Sequence, residues 1–253
     1  MKKIMSKAKI YIGVGHGSGD SGAVNGKRRE CDDNLRLARR VKEYFKNQPV
    51  EVKFSRLSAN GLDINGRCNE ANKWGADYFI SLHRDSAYGA SGVSAYIYSK
   101  ANEYTKAKAE VIVNNVSKAM GVQNRGVHKG AAGRFTDFGV NRMTNMHSCL
   151  LEVGYISSSK DNEAFDSNLD KIAKAIVVST MSVCGVDYVE PIKKGDVTGD
   201  GKVTAADARA ALRGAAKIDN LSGKQKQAAD VNGDGKVTAD DARTILRQSA
   251  KLE

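Results

Sequence analysis

The sequence predicts an α/β domain with a mostly parallel sheet covered by helices on both faces, followed by a small all-α unit. Three observations carry this. Up to Cys184, short apolar runs alternate with segments whose apolar residues recur at helical spacing, the pattern of βαβ units. The run Tyr78 to Leu82 is continuously apolar, as a strand buried on both faces must be. Beyond Lys194 the chain repeats itself. GDVTGDGKVTAADARAALRGAAKI from Gly195 has the counterpart DVNGDGKVTADDARTILRQSAKL from Asp230, and similarity of that length marks a duplicated structural unit.

Taken in order, Ile10 to Val14 is the first buried strand. Asp32, Asp33 and Asn34 offer N-cap oxygens, and Leu37, Ala38, Val41 and Phe45 then recur at helical spacing. Pro49 follows that helix, and Val50, Val52 and Phe54 alternate as a second strand. Leu62 to Trp74 reads as a helix stopped by Gly75. Tyr78 to Leu82 is the third strand and runs into His83, and Val93 to Tyr98 is the fourth. Tyr104 to Met120 is a long helix with Gly121 beyond it. Phe138 to Arg142 and Cys149 to Val153 read as two more strands, and Glu163 to Cys184 contains the last large helix. Asp187 to Lys194, with Pro191 and lysines, reads as a linker. The expected division is 1–186, a linker over 187–194, and 195–253.

The chain of 253 residues, 41% hydrophobic, has room for one large and one small domain. No apolar run approaches the roughly 18 residues of a membrane span. The opening MKKIMSKAKIYIG has lysines but no apolar stretch before the first strand, which predicts synthesis in the cytoplasm without a signal peptide. Cys31, Cys68, Cys149 and Cys184 are widely spaced without a CxxC and read as reduced and structural; Cys31, beside Glu30, has a metal-site alternative. The net charge of +11 favours polyanionic surroundings. No basic base-reading helix or aromatic stacking motif accompanies it, so nucleic acid is not an expected partner. Acidic cell-wall polymers would be attracted by the same charge, and solubility alone also accounts for it.

Chemistry-bearing residues sit where such a sheet places them. His16 lies in a turn with Gly13, Gly15, Gly17, Gly19, Gly22 and Gly26, and Glu30 precedes a helix. His83 and Glu152 end two other apolar runs. Open parallel sheets gather ligand groups outside the carboxyl ends of their strands, so these residues are expected to converge. Zinc with three protein ligands lowers the pKa of its water to about 7. Amide hydrolysis then needs a base that collects a proton and returns it to the leaving amine. Glu30 suits the third ligand, beside His16 and His83, and Glu152 suits the base. A histidine at a strand end serves equally as an ordinary hydrogen-bonded residue, so the residues alone leave this open.

The repeat carries a second signature. Asp196, Thr198, Asp200 and Asp207 fall at positions 1, 3, 5 and 12 of a calcium loop, as do Asp230, Asn232, Asp234 and Asp241. Gly201 and Gly235 take position 6. Lys202 and Lys236 offer carbonyls at position 7, and Thr204 and Thr238 stand at position 9. Two calcium ions are expected, held at position 12 by an aspartate of shorter reach than the usual glutamate.

From Lys9 to Cys184 the chain resembles the zinc-dependent N-acetylmuramoyl-L-alanine amidases of the Amidase_3 type. The resemblance rests on GHGSGDSGAVNGKRRE (Gly15 to Glu30), RCNEANKWGADYFISLH (Arg67 to His83), NRGVHK (Asn124 to Lys129) and NMHSCLLEVGYISS (Asn145 to Ser158). It implies one zinc held by His16, Glu30 and His83, Glu152 as the catalytic carboxylate, and a sheet of about six strands flanked by helices. Gly13-Val14 stand where the family has Asp-Pro, Arg84-Asp85 where small and amide side chains are usual, and His147 where proline is common. Arg84 is a candidate for meeting a substrate carboxylate bidentately, with a salt bridge as the alternative. His128 and His147 read as structural, with polarisation of an oxyanion as the alternative.

Gly195 to Leu252 resembles a type I dockerin, whose halves are each a calcium loop plus a helix. Ala208, Ala211, Leu212 and Ala215, then Ala242, Ile245, Leu246 and Ala250, follow the loops. The family's partner is a cohesin module. The recognition positions, Ala205, Ala206, Ala239 and Asp240, are small and leave the partner undefined, and a wall polymer or a purely structural unit are alternatives. Together the two resemblances imply a peptidoglycan hydrolase that cleaves the amide between N-acetylmuramic acid and L-alanine. It would act on the wall after release, as a phage or prophage endolysin or an autolysin. The alternative is a calcium-dependent wall-binding or scaffold-docking module with a non-catalytic N-terminal domain.

Overall fold

The computed structural model describes residues 7–131 and 136–252; residues 1–6, part of the stretch on which the leader reading rests, lie outside them. Contacts divide the chain into two compact units, one ending at Val189 and one beginning at Glu190. Among the described residues no helix is long and apolar enough to cross a membrane.

In the first unit β1 (Lys9–Val14) is followed by a small hairpin, β2 (Val24–Asn25) and β3 (Arg28–Arg29), then α1 (Glu30–Phe45) and β4 (Glu51–Phe54). Next come α2 (Ile64–Trp74), β5 (Tyr78–Asp85), β6 (Val93–Ile97) and α3 (Glu103–Met120). The unit ends with β7 (Asn124–Lys129), α4 (Gly139–Arg142), β8 (His147–Tyr155), α5 (Ser159–Ser167) and α6 (Leu169–Val183). Six strands form one sheet in the order β4-β1-β5-β8-β6-β7. Neighbours run parallel except β6 and β8, so the expected mostly parallel sheet of six strands is present.

Alternate side chains of the central strands feed two cores. Ile10, Ile12, Val14, Ile80 and Leu82 pack with Leu37 of α1, Ile112 of α3 and Ile176 of α6. Tyr11, Phe79 and Leu150 pack on the other face with Cys68 and Ala71 of α2 and Val140 of α4. Burial of both faces is why these runs read as unbroken apolar stretches. Leu37 is fully buried, and truncating such a leucine to alanine costs about 2–5 kcal/mol.

The expected glycine stops are present: Gly75 and Gly121 close α2 and α3 at φ 70° and 76°, a conformation that costs glycine nothing. Other expectations are corrected. α1 begins at Glu30 after Arg29, so Asp32, Asp33 and Asn34 lie in its first turns rather than capping it. Phe138 to Arg142 is not a strand; the Arg142 amide donates to Phe138 O and that of Met143 to Gly139 O, closing a helical turn. The sixth strand is instead Asn124–Lys129, whose polar side chains and left-handed Gly126 hid its apolar alternation. Such composition suits a sheet edge. The span Glu163 to Cys184 contains the last large helix of this unit, α6, as expected, and also the end of α5, divided from it at Asn168.

The second unit carries α7 (Ala205–Ala215), α8 (Gly223–Ala229) and α9 (Ala239–Ser249). Val197, Ala208, Ala211, Ala229, Ala242 and Ile245 form its small core. α8 was not expected, although Ser222 and Gln225 form a capping box at its start, a pattern visible in the sequence.

Candidate active site

The carboxyl ends of three adjacent parallel strands, β1, β5 and β8, supply the site. His16 stands just past β1, His83 near the end of β5, and Glu152 directly opposite His83 on β8. Glu30 is the first residue of α1. One ligand atom each of His16, Glu30 and His83 lies within 4.8 Å of the other two. His16 Nε2 is 3.1 Å from one Glu30 oxygen and His83 Nδ1 is 2.9 Å from the other. The predicted trio therefore comes together.

The surrounding chain holds each member in place. The outer nitrogen of His16 lies 2.7 Å from the Asp20 carboxylate, and that of His83 lies 3.1 Å from Ser81 Oγ. Partners of this kind fix the ring orientation of metal-ligating histidines. Glu30 accepts from the amides of Ala23 and Arg84 and from the Asn34 side chain. His16 itself adopts φ 60°, uncommon for a non-glycine residue and concentrated at functional sites. A Cβ on Gly15 would come within 2.5 Å of the His83 ring, and one on Gly22 within 2.5 Å of Glu30 Oε2. Two of the turn glycines thus leave the space that the trio fills. Two imidazoles and a carboxylate whose inward atoms face one another are the donor set of a zinc site with an open position, so these residues fit that ion.

Electrostatics separate the groups. Burial works against the charge of His16, but Glu30 and Asp20 outweigh it and raise its pKa. Burial dominates at His83 and lowers its pKa, with Glu30 only partly offsetting it. Burial also opposes ionisation of Glu30, yet His16 and His83 hold it far below the usual carboxylate range. Glu152 goes the other way: burial pushes it well up, and repulsion from Glu30 and Asp85 adds to this. Its Oε2 is buried, with no hydrogen-bond partner among the described residues.

The four residues open onto a cleft of about 1230 Å³. The charge of Arg84 takes the salt-bridge alternative. Its guanidinium is 2.5 Å from Asp33, donates to the carbonyls of Val153 and Tyr155, and lies 4.4 Å over the Phe165 ring. Side chains alternate along a strand, so with His83 facing the cleft its neighbour Arg84 faces the interior. The same rule places Ser81, two residues before His83, on the cleft side, a signal the sequence contains. His147 accepts from or donates to Thr105 Oγ1 away from the cleft, whereas His128 lines it against Tyr96. Asp20, Asp85, Arg125 and Tyr155, which also line or support the cleft, were not singled out as site residues. Cys31 is buried, with its thiol raised chiefly by burial, and takes no part in the trio.

In the second unit, Asp196, Asp200 and Asp207 each bring one oxygen within 4.8 Å of the others. Asp196 accepts the amides of Gly199, Asp200 and Gly201, which bends the loop around its carboxylate. Asp230 does the same with Gly233, Asp234 and Gly235. Asp207 and Asp241 close their loops and also accept from Thr204 and Thr238, in capping boxes that start α7 and α9. The clustered carboxylates fit a calcium ion. Lys202 and Lys236 lie in these loops, and their amides donate to Asp200 and Asp234.

Comparison with known proteins is consistent with this geometry. Residues 10–180 match the family model described as N-acetylmuramoyl-L-alanine amidase, and residues 194–248 match the type I dockerin domain. The N-acetylmuramoyl-L-alanine amidase CwlM of Bacillus licheniformis is 32% identical over 162 residues, 63% of this chain and 61% of that protein. The endolysin of Bacillus phage SPP1 is 32% identical over 179 residues, 67% of this chain and 63% of that protein. The chain thus spans about three fifths of the length of these curated relatives. The catalytic domain of CwlV, an amidase of Bacillus (Paenibacillus) polymyxa var. colistinus, superposes with a TM-score of 0.64 at 30% identity. That superposition covers 71% of this chain and 99% of the solved one.

Proposed function

The chain belongs to the N-acetylmuramoyl-L-alanine amidase family, and from that premise we propose that it hydrolyses the amide between N-acetylmuramic acid and L-alanine in peptidoglycan. His16, Glu30 and His83 would hold one zinc ion. When bound, that ion supplies the Lewis acidity that makes water nucleophilic at neutral pH and polarises the amide carbonyl. Glu152 takes the proton from the attacking water and delivers it to the departing L-alanine nitrogen. Asp20 and Ser81 keep the two imidazoles turned inward.

The observation that carries this reading is Glu152. A buried carboxyl with an oxygen that no described residue partners is expensive, and this one stands one strand from His83 at the cleft. A domain that only gripped the wall would gain nothing from it. The test is mass analysis of purified peptidoglycan after digestion by the zinc-loaded chain. A newly freed L-alanine amine is expected; intact wall, or cleavage at a sugar or peptide bond instead, would overturn the assignment.

The second unit would bind two calcium ions, one through Asp196, Thr198, Asp200, Lys202, Thr204 and Asp207 and one through Asp230, Asn232, Asp234, Lys236, Thr238 and Asp241. Its match to dockerin domains supports docking to a cohesin-like module, with an acidic wall polymer as the competing partner. Either tether would concentrate the enzyme at the wall, where it would act as an endolysin or autolysin after release.

A further inference from the structure

Three arginines among the described residues line the cleft, and two have their charges engaged inside the fold. Arg67 donates to the carbonyls of Val14 and Leu62, and Arg84 is bound to Asp33. Arg125, on β7, is different. It is exposed, and among the described residues no carboxylate pairs with it. Its guanidinium lies 5.4 Å from the centre of the Tyr155 ring and makes only a long contact, 3.5 Å, to the Ser91 carbonyl. A ring face steadies a guanidinium without using its N–H groups, which stay available to a planar anion. Tyr155 is itself held by Asp85, and burial with that neighbour pushes its hydroxyl up to about 12, so the platform stays neutral. Gly92 completes the arrangement, because a Cβ there would come within 3.0 Å of the Arg125 side chain.

The register measures how far this cation lies from the reaction. Glu152 pairs with Ser94 on β6, and Val93 beside it pairs with Asn124 on β7. Arg125 therefore stands two strand spacings from Glu152, about 10 Å between backbones. Two residues of stem peptide reach at most about 7 Å from the scissile amide, a gap that an arginine side chain closes. Asp20 and Asp63 line other parts of the cleft and would repel an anion, while Asp85 is engaged with the Tyr155 hydroxyl, which leaves Arg125 as the place to receive one.

Resting on the amidase reading above, we infer that Arg125 binds the α-carboxylate of the second stem residue, and so favours stems in which that carboxylate is free over stems in which it is amidated. The second residue is joined onward through its side-chain carboxyl, so its α-carboxyl is the first anion downstream of the cleaved bond.

The test compares the zinc-loaded full chain and its Arg125→Gln and Arg125→Lys variants on two synthetic N-acetylmuramoyl peptides. These differ only in that carboxylate or its amide. The wild type should prefer the free acid by about 10- to 100-fold in kcat/KM, the range of a charge-assisted contact. R125Q should lose this preference mainly through a raised KM on the acid, the signature of a contact made equally in ground and transition states. R125K should retain part of it. A wild-type ratio near one, or an R125Q ratio equal to the wild type, overturns the inference while the amidase reading stands. Should R125Q not fold, the wild-type ratio decides alone. Wild-type failure on both substrates overturns the amidase reading and this inference with it.

Discussion

The candidate metal sites of the two units are built in opposite ways. The N-terminal trio draws on residues as far apart as His16 and His83, with Glu152 further still, and it meets because β1, β5 and β8 lie side by side. Each calcium loop is twelve consecutive residues whose own amides fold around Asp196 or Asp230. Behind the trio stand two buried cores on either side of a sheet. Behind the loops stands one small core made largely of alanines. The trio is therefore shaped by the fold itself, while the second unit has only that small core to offset its chain entropy and would gain most from bound ions.

The sharpest way to test that contrast is to remove chemistry without removing structure. Glu152→Gln keeps the shape of the side chain but cannot relay a proton. It should lower hydrolysis by about 10²- to 10⁴-fold with zinc content unchanged, read by freed amine and metal analysis; near-normal lysis would exclude the role. Next in size is removal of the ions. EGTA should strip much of the helical circular dichroism from a 190–253 fragment. A 1–189 fragment cleared of zinc should keep its sheet and helix signal. Equal collapse of both, or of neither, would erase the distinction.

A smaller effect should come from the supports of the trio. Asp20→Asn leaves His16 in place but weakens its orientation, and zinc affinity should fall about 10- to 100-fold, measured by competition with a chromogenic chelator. The smallest effect concerns pH. His16 without metal has a raised pKa, so the stability that its pairing with Glu30 contributes is fully present below about 6.5 and fades as pH rises through the folded-state value. Zinc competes with that same proton, so its affinity should climb over the same interval. Thermal melts with and without zinc should therefore diverge as pH rises. Parallel melts would show that the proton and the ion do not share a site.

Local chemistry was legible from residues alone. The strand ends at His16, His83 and Glu152, the glycine stops at Gly75 and Gly121, and both calcium loops depend on contacts within a few positions, which composition and spacing report directly. The edge strand Asn124–Lys129 was not legible, because its pairing with β6 is long-range and its side chains face water. Nor was the helical turn at Gly139–Arg142, where a short apolar segment suits either state until its neighbours are in place.

The sequence by itself determined which side chains could bind metal and roughly where each leaves its strand, since those properties belong to residue type and local period. Only the tertiary structure decided that Arg84 turns inward to Asp33 while Arg125 faces the cleft, that Asp20 and Ser81 back the two histidines, and that one oxygen of Glu152 is buried with no partner among the described residues. Those outcomes follow from strand order and register, which join residues far apart in the chain and set the face on which each side chain emerges.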